Sequence, residues 1–69
     1  MIRLTTILEM LGMNTLVYIV GEGENETRQY AGKCANCTMS IWARAYVVGM
    51  RYDENMERYN IRVIYKKEV

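Results

Sequence analysis

A chain of 69 residues with no histidine, a lone aspartate and one pair of cysteines lacks most of the side chains from which active sites are assembled. Nine Lys/Arg against eight Asp/Glu leave a net charge of +1, which excludes the strong basic field behind nonspecific nucleic-acid binding. At this length the chain forms one domain, residues 1–69, whose core supplies only about 3–5 kcal/mol unless a disulfide, a metal or self-association adds to it.

The opening segment predicts a short amphipathic helix. Thr6-Ile-Leu-Glu9 has the spacing of a capping box, Leu4, Ile7, Leu8 and Leu11 share one face, and Gly12 stands where a left-handed C-terminal cap belongs. Two turns of helix do not persist alone, so this one must dock on a sheet. Residues 15–20 form a β-rich run with apolar groups on both faces, the pattern of a strand covered on both sides. Residues 21–25 read as a solvated turn, with two glycines for positive φ and acids that stay wet. Residues 26–31 return as a more polar edge strand. Residues 32–40 are irregular, ending in a helical turn near residues 39–42. A third strand over residues 44–52, a turn at 53–56 and a fourth strand over 57–66 complete the chain. The expected fold is α+β: a short N-terminal helix packed on a four-stranded, mostly antiparallel sheet that ends in a C-terminal β-hairpin.

Register arithmetic on that hairpin pairs Tyr52 with Glu57, Met50 with Tyr59, Val48 with Ile61 and Tyr46 with Val63, apolar on both sides after the first pair. The opposite face then sets Arg51 across from Arg58, Gly49 from Asn60 and Val47 from Arg62. Like charges directly opposed destabilise a sheet. Arg51, Arg58 and Arg62 around the small Gly49 and Asn60 outline a shallow anion-binding surface, because guanidinium forks match phosphate or carboxylate in pairs. Tyr52 or Trp42 is placed to stack a base beside it. The alternative is that these arginines pair with the chain's own acids, which are numerous enough to satisfy them.

Cys34-Ala-Asn-Cys37 has the spacing of half a zinc site, but no further Cys and no His supplies the other half. Zinc would bind Cys34 and Cys37 only if a symmetric dimer shared them across its axis. Otherwise the two are small, partly buried residues. Glu22, Glu24 and Glu26 lack the twelve-residue calcium-loop pattern. The methionines are scattered, as gap-fillers of a core are. A thiol nucleophile would lack a histidine base, and carboxylates in open turns have nothing to shift their pKa, so no catalytic residue is assigned and the chain is expected not to be an enzyme.

An apolar fraction of 51%, six tyrosines and a tryptophan suit half-buried positions and interfaces, so the expected partner is a further copy of the chain. No run of 18 apolar residues predicts a membrane span. Arg3, Thr5, Thr6 and Glu9 interrupt what would be the apolar core of a signal peptide, and a cytoplasmic location with reduced thiols is the expectation.

The segment Leu4-Thr-Thr-Ile-Leu-Glu-Met-Leu-Gly12, followed by Asn14-Thr-Leu-Val-Tyr-Ile-Val20 and by the closing hairpin of residues 44–67, resembles small accessory proteins of phages, prophages and mobile elements of Gram-positive gut bacteria. These open on a helix ending in Leu-Gly, continue in a β-rich strand and close on a charged hairpin. The resemblance covers about two-thirds of the chain and leaves out the cysteine loop. It implies an accessory role rather than housekeeping metabolism, with anti-defence its sharpest form: sequestering an anionic nucleotide signal without cleaving it, or blocking a host protein by binding it.

Overall fold

A computed structural model describes residues 1–23 and 27–65, with Met39 described in its backbone alone. The elements run β1 (Ile2–Arg3), α1 (Leu4–Leu11), β2 (Leu16–Glu22), β3 (Thr27–Lys33), a 3-10 turn (Cys34–Asn36), α2 (Met39–Trp42), β4 (Ala45–Asp53) and β5 (Arg58–Tyr65). The α+β class is as expected, but the sheet has five strands in the order β1-β4-β5-β2-β3 and is mixed. The extra strand is β1, whose two residues pair antiparallel with Tyr46 and Val47 of β4. β2 pairs antiparallel with β3 and parallel with β5, which makes β3 the edge strand that its polar sequence predicts.

α1 turns its predicted face to the sheet: Leu4 and Leu8 are buried, with Ile7 and Leu11 packed against the core. Gly12 caps it at φ 93°, donating its N–H to the Leu8 carbonyl at 3.2 Å. The capping box does not form. β1 runs directly into the helix, so the N-cap is Arg3, which makes no side-chain cap, and Thr6 already lies inside the first turn.

The helices and the 3-10 turn cover one face of the sheet. Val17, Ile19, Ile61 and Val63 point into that layer and meet Leu4, Leu8, Cys34, Cys37 and Trp42. Trp42, 1% exposed, is the largest buried side chain and meets Tyr65 edge-on, with ring centroids 6.3 Å apart. Burying such side chains contributes roughly 1.5–3 kcal/mol each, so α2, one turn long, is held by its tryptophan rather than by its own hydrogen bonds. Gly21 belongs to β2 and is buried, not part of a wet turn: a Cβ there would stand 2.6 Å from Trp42 Cζ3, and only glycine lets the indole lie against the strand. Glu24 and Glu26 of the expected acidic turn lie outside the described residues, as do Lys66 and Lys67 at the end of the expected fourth strand.

β2 is not covered on both sides. Val17, Ile19 and Gly21 face the helices, whereas Leu16 is 42% exposed and Tyr18 and Val20 are half-buried on the open face. The β4–β5 register also departs from the expected one. Asp53 pairs with Arg58, Tyr52 with Tyr59, Arg51 with Asn60, Met50 with Ile61 and Gly49 with Arg62; an irregularity at Val48 then sets Val47 against Val63. Asp53 causes the shift. Its Oδ1 accepts the N–H groups of Asn55 and Met56 at 3.0 and 3.1 Å, so the turn occupies residues 54–57 and the hairpin closes on an opposite-charge pair instead of Arg51 against Arg58. From Gly49 to Asp53 a slide of two residues keeps every side chain on its face, whereas beyond Val48 the shift is one residue, which turns Ala45 and Val47 to the helix side and Tyr46 to the open face. The bulge at Val48 absorbs the remaining residue.

A candidate anion site on the open sheet face

On the uncovered face the register builds a small array. Arg51, Asn60 and Tyr18 form one row across β4, β5 and β2; Gly49, Arg62 and Val20 form the next. These residues line a shallow hollow of about 370 Å³, a size within the range of small-ligand sites. Gly49 contributes space: a Cβ there would meet nothing within 4 Å. Arg51 and Arg62 are diagonal neighbours on antiparallel strands, a spacing of roughly 7–8 Å that long side chains bridge. Both are exposed, and neither forms an ion pair among the described residues. Among the described residues, Lys33, Arg51, Arg58 and Arg62 outweigh Glu22 and Asp53 on this face, which makes this part of the sheet electropositive although the whole chain is near neutral.

Arg58 is set apart from the other two. Its guanidinium lies 4.6 Å from the centroid of the Tyr18 ring, and it stands across the hairpin from Asp53. The hydrogen bond from the Met56 N–H, joined by those from the Asn60 side chain and the Asn55 N–H, holds the Asp53 carboxyl below its ordinary value against the opposing effect of desolvation, and the Arg58 charge adds to this. Arg58 therefore braces the site. Its Nε is nonetheless buried without a hydrogen-bond partner.

Asn60 forms part of the floor. Its Nδ2 donates to Asp53 Oδ2 at 3.4 Å, and its Oδ1 is buried with no partner. An unpaired buried acceptor is costly in a small domain, and here it lies in the side chain that the hollow is built around. Tyr18 completes the site, with its hydroxyl donating to Gln29 Oε1 at 3.3 Å. The arrangement offers paired cations for a charged group.

Of the residues singled out from sequence, Arg51 and Arg62 come together in the hollow and Arg58 adjoins it through Tyr18. Tyr52 and Trp42 do not. Tyr52 lies on the helix-side face against Tyr59, with ring centroids 5.0 Å apart, and Trp42 is enclosed in the core with its Nε1 unpartnered. Tyr18 is the aromatic that sequence reasoning passed over. Its signal is the alternation of Leu16, Tyr18 and Val20 with Val17, Ile19 and Gly21, a run whose apolar groups on both faces mimic a strand covered on both sides.

Cys34 opens the 3-10 turn and Cys37 follows it, both free thiols, 8% and 7% exposed and part of the core. Burial pushes both thiols up, and the neighbouring Cys34 raises Cys37 further. Tyr30, whose hydroxyl donates to the Lys33 carbonyl at 2.6 Å, is raised by burial and then by the two cysteines. Among the described residues no cluster of three or more Cys, Asp or Glu side chains is placed to hold a metal ion. Nor is any described helix long and apolar enough to cross a membrane.

No protein-family model, curated protein or solved structure matches this chain.

Proposed function

We propose that this protein is a non-enzymatic accessory protein of a phage or mobile element, an anti-defence factor that sequesters an anionic, nucleotide-type signal as a homo-oligomer. The observation that carries the binding half is the hollow on the open face: Arg51 and Arg62, without acidic partners among the described residues, flank an unpartnered Asn60 Oδ1 and the ring of Tyr18. The arginines take phosphate oxygens through charge-assisted forks. A binder needs no acid, base or metal, and the chain's lack of histidine suits that role. Phage or mobile-element origin rests on the resemblance carried by residues 4–20 and 44–67.

A second reading is favoured by a different observation. Val48, Met50 and Tyr52, each between 43% and 49% exposed, lie together along β4 beyond the reach of β1, a surface suited to gripping a host protein. The zinc-bridged dimer is the least favoured, because a shared ion would have to draw both thiols out of the core.

Titration calorimetry with a panel of linear and cyclic nucleotides plus inorganic pyrophosphate tests the first reading. Losing a hydrogen-bonded ion pair to phosphate costs about 1.5–3 kcal/mol, so Arg62→Ala is expected to weaken binding roughly 10- to 150-fold. Wild-type protein that binds none of the panel would leave the host-protein reading in its place.

A further inference from the structure

The two edges of the sheet are treated differently. On one side β1 covers Tyr46 and Val47, and the bulge at Val48 disrupts the strand next to it, the usual devices against unwanted pairing. On the other side β3 presents seven residues with no proline, no bulge and, among the described residues, no covering element. Its inward-pointing charge, Arg28, is occupied within the chain: the guanidinium lies over the Tyr65 ring at 4.6 Å and donates to the Ile41 carbonyl at 2.8 Å.

The hydrogen-bond phase of β3 identifies which groups face outward. Cys34 N–H donates to the Thr15 carbonyl at 2.9 Å, so this pair is hydrogen-bonded across the strands. Antiparallel pairs alternate between bonded and non-bonded. The register of Gly32 with Val17, Tyr30 with Ile19 and Arg28 with Gly21 then continues the bonded series toward β2. Thr27, Gln29, Ala31 and Lys33 must direct their N–H and C=O groups away from the sheet. The Lys33 carbonyl confirms the phase, since it is free to accept the Tyr30 hydroxyl.

We infer that β3 is the seat of self-association, pairing antiparallel with β3 of a second copy about a two-fold axis through Tyr30. The inference deepens the homo-oligomeric half of the proposed function and rests on it; anion binding at Arg51 and Arg62 stands or falls separately. With Tyr30 on the axis, Gln29 meets Ala31 of the second copy and Thr27 meets Lys33, so outward-facing groups pair with outward-facing groups in about six to eight main-chain hydrogen bonds. Arg28 falls opposite Gly32 and Tyr30 opposite its own copy. No like charges meet. Placing the axis between residues would set outward groups against groups already bonded to β2. Moving it to Gln29 or Ala31 shortens the ladder and sets Arg28 against Tyr30 or Cys34. The favoured register joins the two sheets into one continuous surface, with both anion hollows on the same side.

Two measurements on the full chain test this. Sedimentation equilibrium is expected to show a dimer that Ala31→Pro weakens at least tenfold while circular dichroism stays unchanged, because that N–H serves no bond inside the chain. Amide exchange on the wild type is expected to show Gln29 and Ala31 protected in proportion to dimer, with Arg28 and Tyr30 protected at all concentrations. A chain that remains monomeric refutes the inference together with the homo-oligomeric reading. A dimer whose Gln29 and Ala31 amides exchange as freely as in the monomer refutes the β3 interface alone.

Discussion

Gly21→Ala adds one methyl group at the point where the second strand passes under the tryptophan. The new carbon would stand 2.6 Å from Trp42 Cζ3, 3.0 Å from Tyr65 Cε1 and 3.1 Å from Trp42 Cη2. Neither ring has space to retreat: Trp42 is 1% exposed and Tyr65 is packed edge-on against it. Overpacking of this kind costs about 1–3 kcal/mol, and the reduced freedom of the unfolded chain returns about 0.4–1 kcal/mol. A net loss of about 1–2 kcal/mol is expected, which for a domain this small lowers Tm by roughly 5–15 °C. Thermal and urea unfolding followed by circular dichroism measures it. Trp42→Phe, which removes the six-membered indole ring at the point of collision, should make the two substitutions couple by about 1 kcal/mol or more. If Gly21→Ala unfolds with the wild type, the indole does not lie against β2, and Trp42 returns as a candidate for ligand stacking.

The hairpin and the open face give further expectations. Arg58→Ala should destabilise the chain by about 0.5–1.5 kcal/mol in urea unfolding, because it removes the cation over Tyr18 and the charge facing Asp53. An Arg58 variant more stable than wild type would restore the like-charge register with Arg51. Asp53, whose carboxyl is held low in the folded chain, should contribute stability present in full above its ordinary value of 3.8 and lost as pH falls through its depressed folded value. The urea midpoint of the wild type should therefore converge on that of Asp53→Asn as pH is lowered, and a difference independent of pH would refute this. Arg51→Ala and Arg62→Ala, exposed and without partners among the described residues, should each change stability by less than about 0.5 kcal/mol while weakening anion binding.

Local signals carried part of this structure. Leu4, Ile7, Leu8 and Leu11 with Gly12 set out the helix and its end, and the polar composition of residues 26–31 marked an edge strand, which the structure extends to Lys33. Pairing between distant segments was not legible. Ile2–Arg3 is too short for any periodicity, and the parallel alignment of β2 with β5 follows from how the chain crosses over through α2. Val47-Val48 is apolar at consecutive positions, so the pattern alone did not mark the bulge. The arginine face was legible in kind but not in membership: Asp53 moved the hairpin register by two residues, which kept Arg51 and Arg62 on the open face and gave Arg58 to Tyr18 and Asp53. Tyr52 and Trp42 do not reach the arginines because Tyr52 packs on Tyr59 on the opposite, helix-side face and α2 sinks Trp42 into the core. Gly21 looked like a turn glycine because nothing local announces that a tryptophan twenty-one residues later must fit against it.

Native mass spectrometry with a pool of linear and cyclic nucleotides, run on the wild type and on Arg51→Ala/Arg62→Ala, addresses the open-face hollow itself. The wild type should appear as an oligomer carrying one nucleotide mass per hollow, and the double variant should keep the same assembly and lose that mass. A wild-type oligomer that gains no nucleotide, or a double variant that gains as much as the wild type, would contradict anion sequestration by this face.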